Sequence, residues 1–298
     1  MKVTKGGKVS ELLKDTRIPK MFRAVQTFPR EVILPEEIPA AVDREMEREE
    51  ICSRIRPGMR IAITAGSRGI RNVDIITKAI VDFVKSRGAS PFIVPAMGSH
   101  GGATAEGQKE MLAGYGITEE AMGCPIHSSM EVVELGYSER GRRVVLDKNA
   151  YEADGIIVSC RLKPHNAFRG AYESGPCKMM TVGLGKQVGA SVVHGDGMDV
   201  IAQNIPTMAK VVLEKAKILF AIPCIENAYD ETCKIEAIPA EKILEREPEL
   251  LKYAFSNMPK LIVGETDVLV VDTVGKNFSG TGVDPNITGT FSTPYASG

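Results

Sequence analysis

An α/β fold, built on a mostly parallel sheet with helices on both faces, is what this 298-residue sequence predicts. Three observations carry the expectation. Short apolar runs bounded by glycine recur along the chain. The stretches between them show helical spacing, and several runs end directly in glycine- or proline-bearing loops. In sheets of this kind ligands bind beyond the carboxyl ends of the strands.

Residues 1–50 are polar, with prolines at 19, 29, 35 and 39, and are expected to lie over the surface of the main body. Arg60–Ala65 (RIAITA), between Gly58 and Gly66, reads as a buried strand. Asn72 is placed to cap the next helix, in which Ile75, Ile76, Ala79, Ile80, Phe83 and Val84 recur at helical spacing before Gly88. Ser90–Pro95 is the second strand, and Thr104 opens a helix to about Ala113. Val132–Val133 and Val144–Leu146 read as a hairpin or sheet extension, and Gly155–Cys160 as a buried strand. A helix over 198–215 carries Pro206, which predicts a kink or break. Ile218–Ile222 is a strand, Ala240–Asn257 a helix, and Thr266–Asp272 (TDVLVVD) a last strand before a glycine-rich loop. The expected organisation is a surface segment (1–50) and a main α/β domain (51–260). Residues 261–298 are then the start of a second α/β domain, incomplete or absent here, or a tail.

Composition narrows the function. A net charge of −1, with Lys and Arg scattered, offers no field for nucleic acid. No run approaches the roughly 18 apolar residues of a membrane span. The start, MKVTKGGKVSELLKD, lacks the apolar core of a secretory signal. Six cysteines without a C-x-x-C argue against a zinc ribbon, an iron–sulfur cluster or a disulfide framework, and suit a reducing cytoplasm.

Three of the four histidines stand in loop-like segments around one lysine. These are PAMGSHGGATAEGQ (95–108), RLKPHNAFRGAYESGPCKMMTVGLGK (161–186) and SVVHGDG (191–197). Histidine moves protons near neutral pH and ligates transition metals. His100, among three glycines, sits where backbone approaches an anion closely, or in a plain glycine turn. His165 follows Lys163 and Pro164 at a strand end, as a proton-transfer group or a histidine bonded to backbone. Pro176 fits a first helical turn, placing Lys178 near a positive helix end that lowers the pKa of an amine, against the alternative of a solvated lysine. His194 is a candidate metal ligand. Arg68 is able to hold a carboxylate bidentately, against the alternative of a solvated surface arginine, and Lys276 is a second candidate cation for it. His127 reads as structural. G-L-G-K (183–186) is not a P-loop, since Met180 stands where the first glycine belongs.

In this order Arg68, His100, His165, Lys178 and His194 resemble the nickel-dependent lactate racemase family, over about residues 60–200. The resemblance implies a racemase-like N-terminal domain and a nickel-pincer nucleotide, a pyridinium-dithiocarboxylate mononucleotide carrying nickel, joined covalently to Lys178. It further implies His194 as nickel ligand, His100 and His165 as acid/base groups, and Arg68 on the substrate carboxylate. The implied activity is racemisation or epimerisation of a 2-hydroxy acid by hydride transfer to that cofactor. The implied partners are the substrate and the enzymes that make the cofactor. The chain departs from the family pattern in four places. It has no acidic residue directly before Arg68, and a gap of 178 − 165 = 13 that runs a few residues longer than the racemase's. It lacks the second-domain helix that bears a Gln and a Lys, and it contains no Trp. Two other readings stay open: a protein that holds the cofactor without catalysis, and a hydrolase using His165 and His194 around zinc.

Overall fold

The computed structural model describes residues 6–17, 20, 23–67, 69–264, 267–275, 279 and 281–296. Arg68 and Lys276 lie outside them. The main sheet runs in the order β2 (Ser90–Pro95), β1 (Arg60–Ala65), β5 (Gly155–Arg161), β6 (Ile218–Glu226), β7 (Thr232–Ile235). The first four strands are parallel; β7 and the short β8 (Ile238–Pro239) both pair antiparallel with β6. A separate hairpin joins β3 (Val132–Tyr137) to β4 (Arg143–Asp147).

Side-chain alternation along the strands feeds two cores. Ile61, Ile63 and Ala65 of β1 point to one, with Ile38, Val42 and Met46 of the helix Ile38–Met46 and Ile76, Ile80 and Val84 of the helix Val73–Ser86. Ala62 points to the other, with Val193, Met208, Val212 and Leu250 from the helices Lys186–His194, Ile201–Lys215 and Ile243–Ser256. Helices therefore cover both faces, as the sequence predicts. The connection from β1 steps outward to β2, and that from β5 steps the opposite way to β6. Right-handed crossovers in opposite directions put their helices on opposite faces and open a crevice at the carboxyl ends of β1 and β5.

Several expectations are corrected. Residues 38–46 do not lie on the surface: an apolar stripe at helical spacing buries Ile38, Val42 and Met46 completely. Residues 267–272 form no strand. Val268 and Val270 are 74% and 83% exposed, with no neighbouring ladder to satisfy their backbone. Asn72 does not cap its helix through its side chain; its backbone is left-handed (φ 61°) and turns the chain instead. The helix Ile201–Lys215 runs through Pro206 unbroken. Thr104 does cap the helix Ala105–Ala113, accepting the Gly107 N–H. Among the described residues no helix is long and apolar enough to cross a membrane.

Met46→Ala tests the reassignment of the 38–46 segment. As a core truncation it should cost about 2–5 kcal/mol in a denaturant titration, where a surface methionine would cost almost nothing.

Candidate active site

The loops after β1, β2 and β5 leave the same rim of the sheet, because these strands are parallel neighbours. The β1 loop is pinned just beyond position 68. The Glu226 carboxylate accepts the Arg71 N–H (2.7 Å), and the Thr232 hydroxyl donates to the Arg71 carbonyl (3.1 Å). Ser67 at its start meets the His100 ring, Nδ1 to Oγ, and accepts the Tyr115 hydroxyl on its carbonyl (2.8 Å). The first two loops are thus joined through the His100 imidazole.

The β5 loop carries His165 and closes on itself. Lys163 N–H donates to the Ser174 carbonyl (2.9 Å), and the buried Glu173 accepts the N–H groups of His165 (2.6 Å) and Gly170 (3.1 Å). Arg169 donates to the His165 carbonyl (2.7 Å) and pairs with Glu173 (3.6 Å). The His165 ring stacks on Phe168 (centroids 4.3 Å apart), and Lys178 Nζ stands 6.0 Å from the centre of the same ring. Phe168 is therefore a shared floor for the histidine and the lysine. The tail also reaches this loop: Lys163 Nζ pairs with Asp284 (3.0 Å), and Asn286 donates to the His165 carbonyl (3.3 Å).

Lys178 ends a short helix, Pro176–Lys178, with Pro176 in its first turn as the sequence predicts. A π turn, Met179–Gly183, follows. Against this turn lie both other loops: Gly98 N–H donates to the Gly183 carbonyl (3.1 Å), and a Cβ on Gly66 would stand 3.2 Å from Met179. His194 ends the helix Lys186–His194, with Nδ1 2.6 Å from the Ala190 carbonyl. That oxygen only accepts, so Nδ1 carries the hydrogen and Nε2 keeps its lone pair.

Electrostatics around His165 are one-sided. Burial, then Lys178, Lys163, His194 and Arg169, push its pKa down to about 2. The ring is neutral wherever the protein is folded at ordinary pH. Its Nδ1 accepts the Ala167 N–H (3.1 Å), which leaves the hydrogen on Nε2. Beneath Lys178, the buried Glu247 accepts the Cys177 N–H (2.8 Å), and burial raises its pKa to about 7.

These placements bring His165, Lys178 and His194 together, with His100 on the adjoining loop. His127 stacks on Phe92, away from them. The sequence reading missed Phe168, Glu173 and Glu247. Glu247 is detectable, since it interrupts the apolar stripe Ile243, Leu250, Leu251 and Ala254 of its helix. Among the described residues no group of three or more His, Cys, Asp or Glu side chains is placed to hold a metal.

The sequence pattern of the lactate racemase N-terminal domain matches residues 7–202. The chain belongs to that family. Its fold is similar to that of the lactate racemase apoprotein from Thermoanaerobacterium thermosaccharolyticum, at 17% identity and a TM-score of 0.56. The match covers 75% of this chain and 56% of the racemase, so the chain spans little more than half of that protein's length. No curated protein sequence matches the chain. Within this lactate racemase N-terminal domain, Lys178 and His194 differ in character. One is a half-buried amine, and the other is an imidazole with its outer nitrogen open to coordination.

Glu247 gives the domain a pH signature. Its carboxyl titrates near 7 when folded and near 4.5 when unfolded, so it contributes stability below pH 4.5 that is lost as pH rises towards 7. Thermal melts should show Glu247→Gln gaining on the parent between pH 5 and pH 8. A difference that shrinks with pH refutes the assignment.

Proposed function

We propose that this chain is a 2-hydroxy acid racemase or epimerase whose nickel-pincer nucleotide is held by Lys178 and His194. The observation that carries the reading is the shared Phe168 ring under His165 and Lys178, with His194 near enough for its charge to lower the His165 pKa. Lys178 supplies the nitrogen for covalent attachment, and His194 a nickel ligand. When bound, the cofactor supplies the hydride acceptor that spares the C2 carbon from becoming a carbanion.

The chain's own residues do the rest. His165 offers an Nε2 hydrogen towards a substrate oxygen, while the stack on Phe168 and the Ala167 N–H fix its plane. To take the hydroxyl proton at Nε2 the ring has to carry its own hydrogen on Nδ1 and release the Ala167 N–H, and acylation of Lys178 favours that uptake by removing a cation that holds the His165 pKa down. His100, whose Nδ1 meets the Ser67 hydroxyl, presents Nε2 as the second acid/base group. Arg68, with Lys276 as the alternative cation, holds the substrate carboxylate. Two such groups flanking a planar keto acid would let its oxygen be protonated from either side, so that hydride supplied by the bound cofactor could return to either face. The substrate is a small 2-hydroxy acid, and the partners are the enzymes that make the cofactor. The six thiols, none in a disulfide, suit the cytoplasm.

Intact mass of the chain co-produced with those enzymes tests the attachment. Lys178→Ala should abolish the adduct, whereas His194→Ala should keep it and lose nickel; equal loading of the parent and Lys178→Ala defeats the reading. On loaded chain, neither His100→Ala nor His165→Ala should interconvert the antipodes of a 2-hydroxy acid panel. Arg68→Ala should cost roughly 1.5–3 kcal/mol in kcat/KM. Loading without any turnover by the parent would make the protein a cofactor holder.

A further inference from the structure

Lys186 and Asp147 are both completely buried and pair at 3.1 Å. Two buried charges of this kind are costly, and no part of the chemistry above uses them. Their surroundings point to the His100 loop. Lys186 Nζ donates to the Pro95 carbonyl (2.5 Å), at the end of β2, and to Gln108 Oε1 (3.4 Å). Gln108, itself 0% exposed, donates through Nε2 to the Gly98 carbonyl (3.0 Å) and the His100 carbonyl (3.2 Å). Asp147 is held in turn: its N–H donates to the Leu184 carbonyl (2.7 Å) and its Oδ1 accepts the Ala150 N–H (2.9 Å).

A glutamine amide has an accepting end and a donating end of nearly equal size. Facing only the Gly98 and His100 carbonyls, it has to present its nitrogen, because the flipped amide would set oxygen against oxygen. The Lys186 ammonium enforces that orientation from below by attracting Oε1. The fit allows no slack, since Gly101 and Gly107 touch backbone to backbone. A Cβ on Gly107 would come within 2.1 Å of the Gly101 carbonyl oxygen. Lys186 also follows the π turn after Lys178, so one cation ties the His100 loop to the segment bearing the attachment lysine.

We infer that Gln108, oriented by the buried Lys186–Asp147 pair, is a positioning residue that sets the His100 backbone for proton transfer. This rests on the acid/base role proposed for His100. Gln108→Met keeps the length and removes both donors. Loaded on Lys178 as fully as the parent, this variant should keep KM within twofold and lose at least tenfold in kcat. Amides of residues 98–103 should exchange at least tenfold faster. With only four histidines in the chain, imidazole NMR of the protein without cofactor should show the His100 signal shifted or broadened and the His165 signal unchanged. Gln108→Glu, which puts oxygens against the two carbonyls, should be worse than Gln108→Met on every readout. If Gln108→Met does not fold, the uncharged pair Lys186→Met/Asp147→Asn, which keeps the acceptor for Ala150, carries the same measurements. An unchanged His100 signal with unchanged amide exchange overturns the inference, whatever the activity. A displaced His100 signal with full kcat overturns the acid/base role of His100 and leaves the clamp standing.

Discussion

The parallel pairing of β1 with β5 is the constraint on which the chemistry depends. These strands lie side by side in the middle of the sheet, and their connections leave in opposite directions. The crevice between the two departures is the one place on the rim where no crossover helix covers both strand ends. Thr64, buried in β1, donates to the Ser159 carbonyl of β5 (2.8 Å) and holds the two strands together just below it. A register slip there would move the β1 loop, and with it Ser67 and its contact to His100, away from the His165 loop.

The loops at this rim have little regular structure, and ordering each of their residues costs about 1–2 kcal/mol of backbone entropy. Buried carboxyl groups fix the direction of that backbone. Glu226 takes a backbone N–H of the β1 loop, Glu173 takes two of the β5 loop, and Glu247 takes one from the start of the Lys178 helix. Burial raises the pKa of all three carboxyls, and the backbone N–H groups they accept work against that rise. Acidic residues are thus abundant around the site yet serve the backbone.

Much of this was legible in the sequence, and the reasons are specific. Arg60–Ala65, Ser90–Pro95 and Gly155–Cys160 are short apolar runs that lead into glycine- or proline-bearing loops, so the strands and the loops at their ends could be read directly. The spacing of glycine, proline and histidine pointed to the same loops. What escaped were features set by tertiary partners. TDVLVVD has strand composition, but composition supplies no neighbour to pair with. Thr232–Ile235 is short and mixed, yet β6 recruits it as β7, and through Thr232 it steadies the loop beyond Arg68. Lys186 reads as part of a failed phosphate loop, because nothing local reveals that Asp147 and Gln108 meet it underground. Phe168 looks like any loop aromatic until His165 and Lys178 are seen on its ring.

The π turn at Met179–Gly183 has an evolutionary reading. Its wide ring, closed by the Leu184 N–H on the Met179 carbonyl (2.8 Å), accommodates one residue more than an α turn would. Each residue of an α-helix advances the side-chain direction by about 100°. The extra residue thus sets the azimuth of Lys178 against that of Lys186 and His194, and π bulges of this kind gather at functional sites. A lineage that lost a single codon here would keep its hydrophobic pattern, its helices and its fold. It would turn Lys178 away from the histidines of the rim in one step, a change that sequence similarity alone would hardly register.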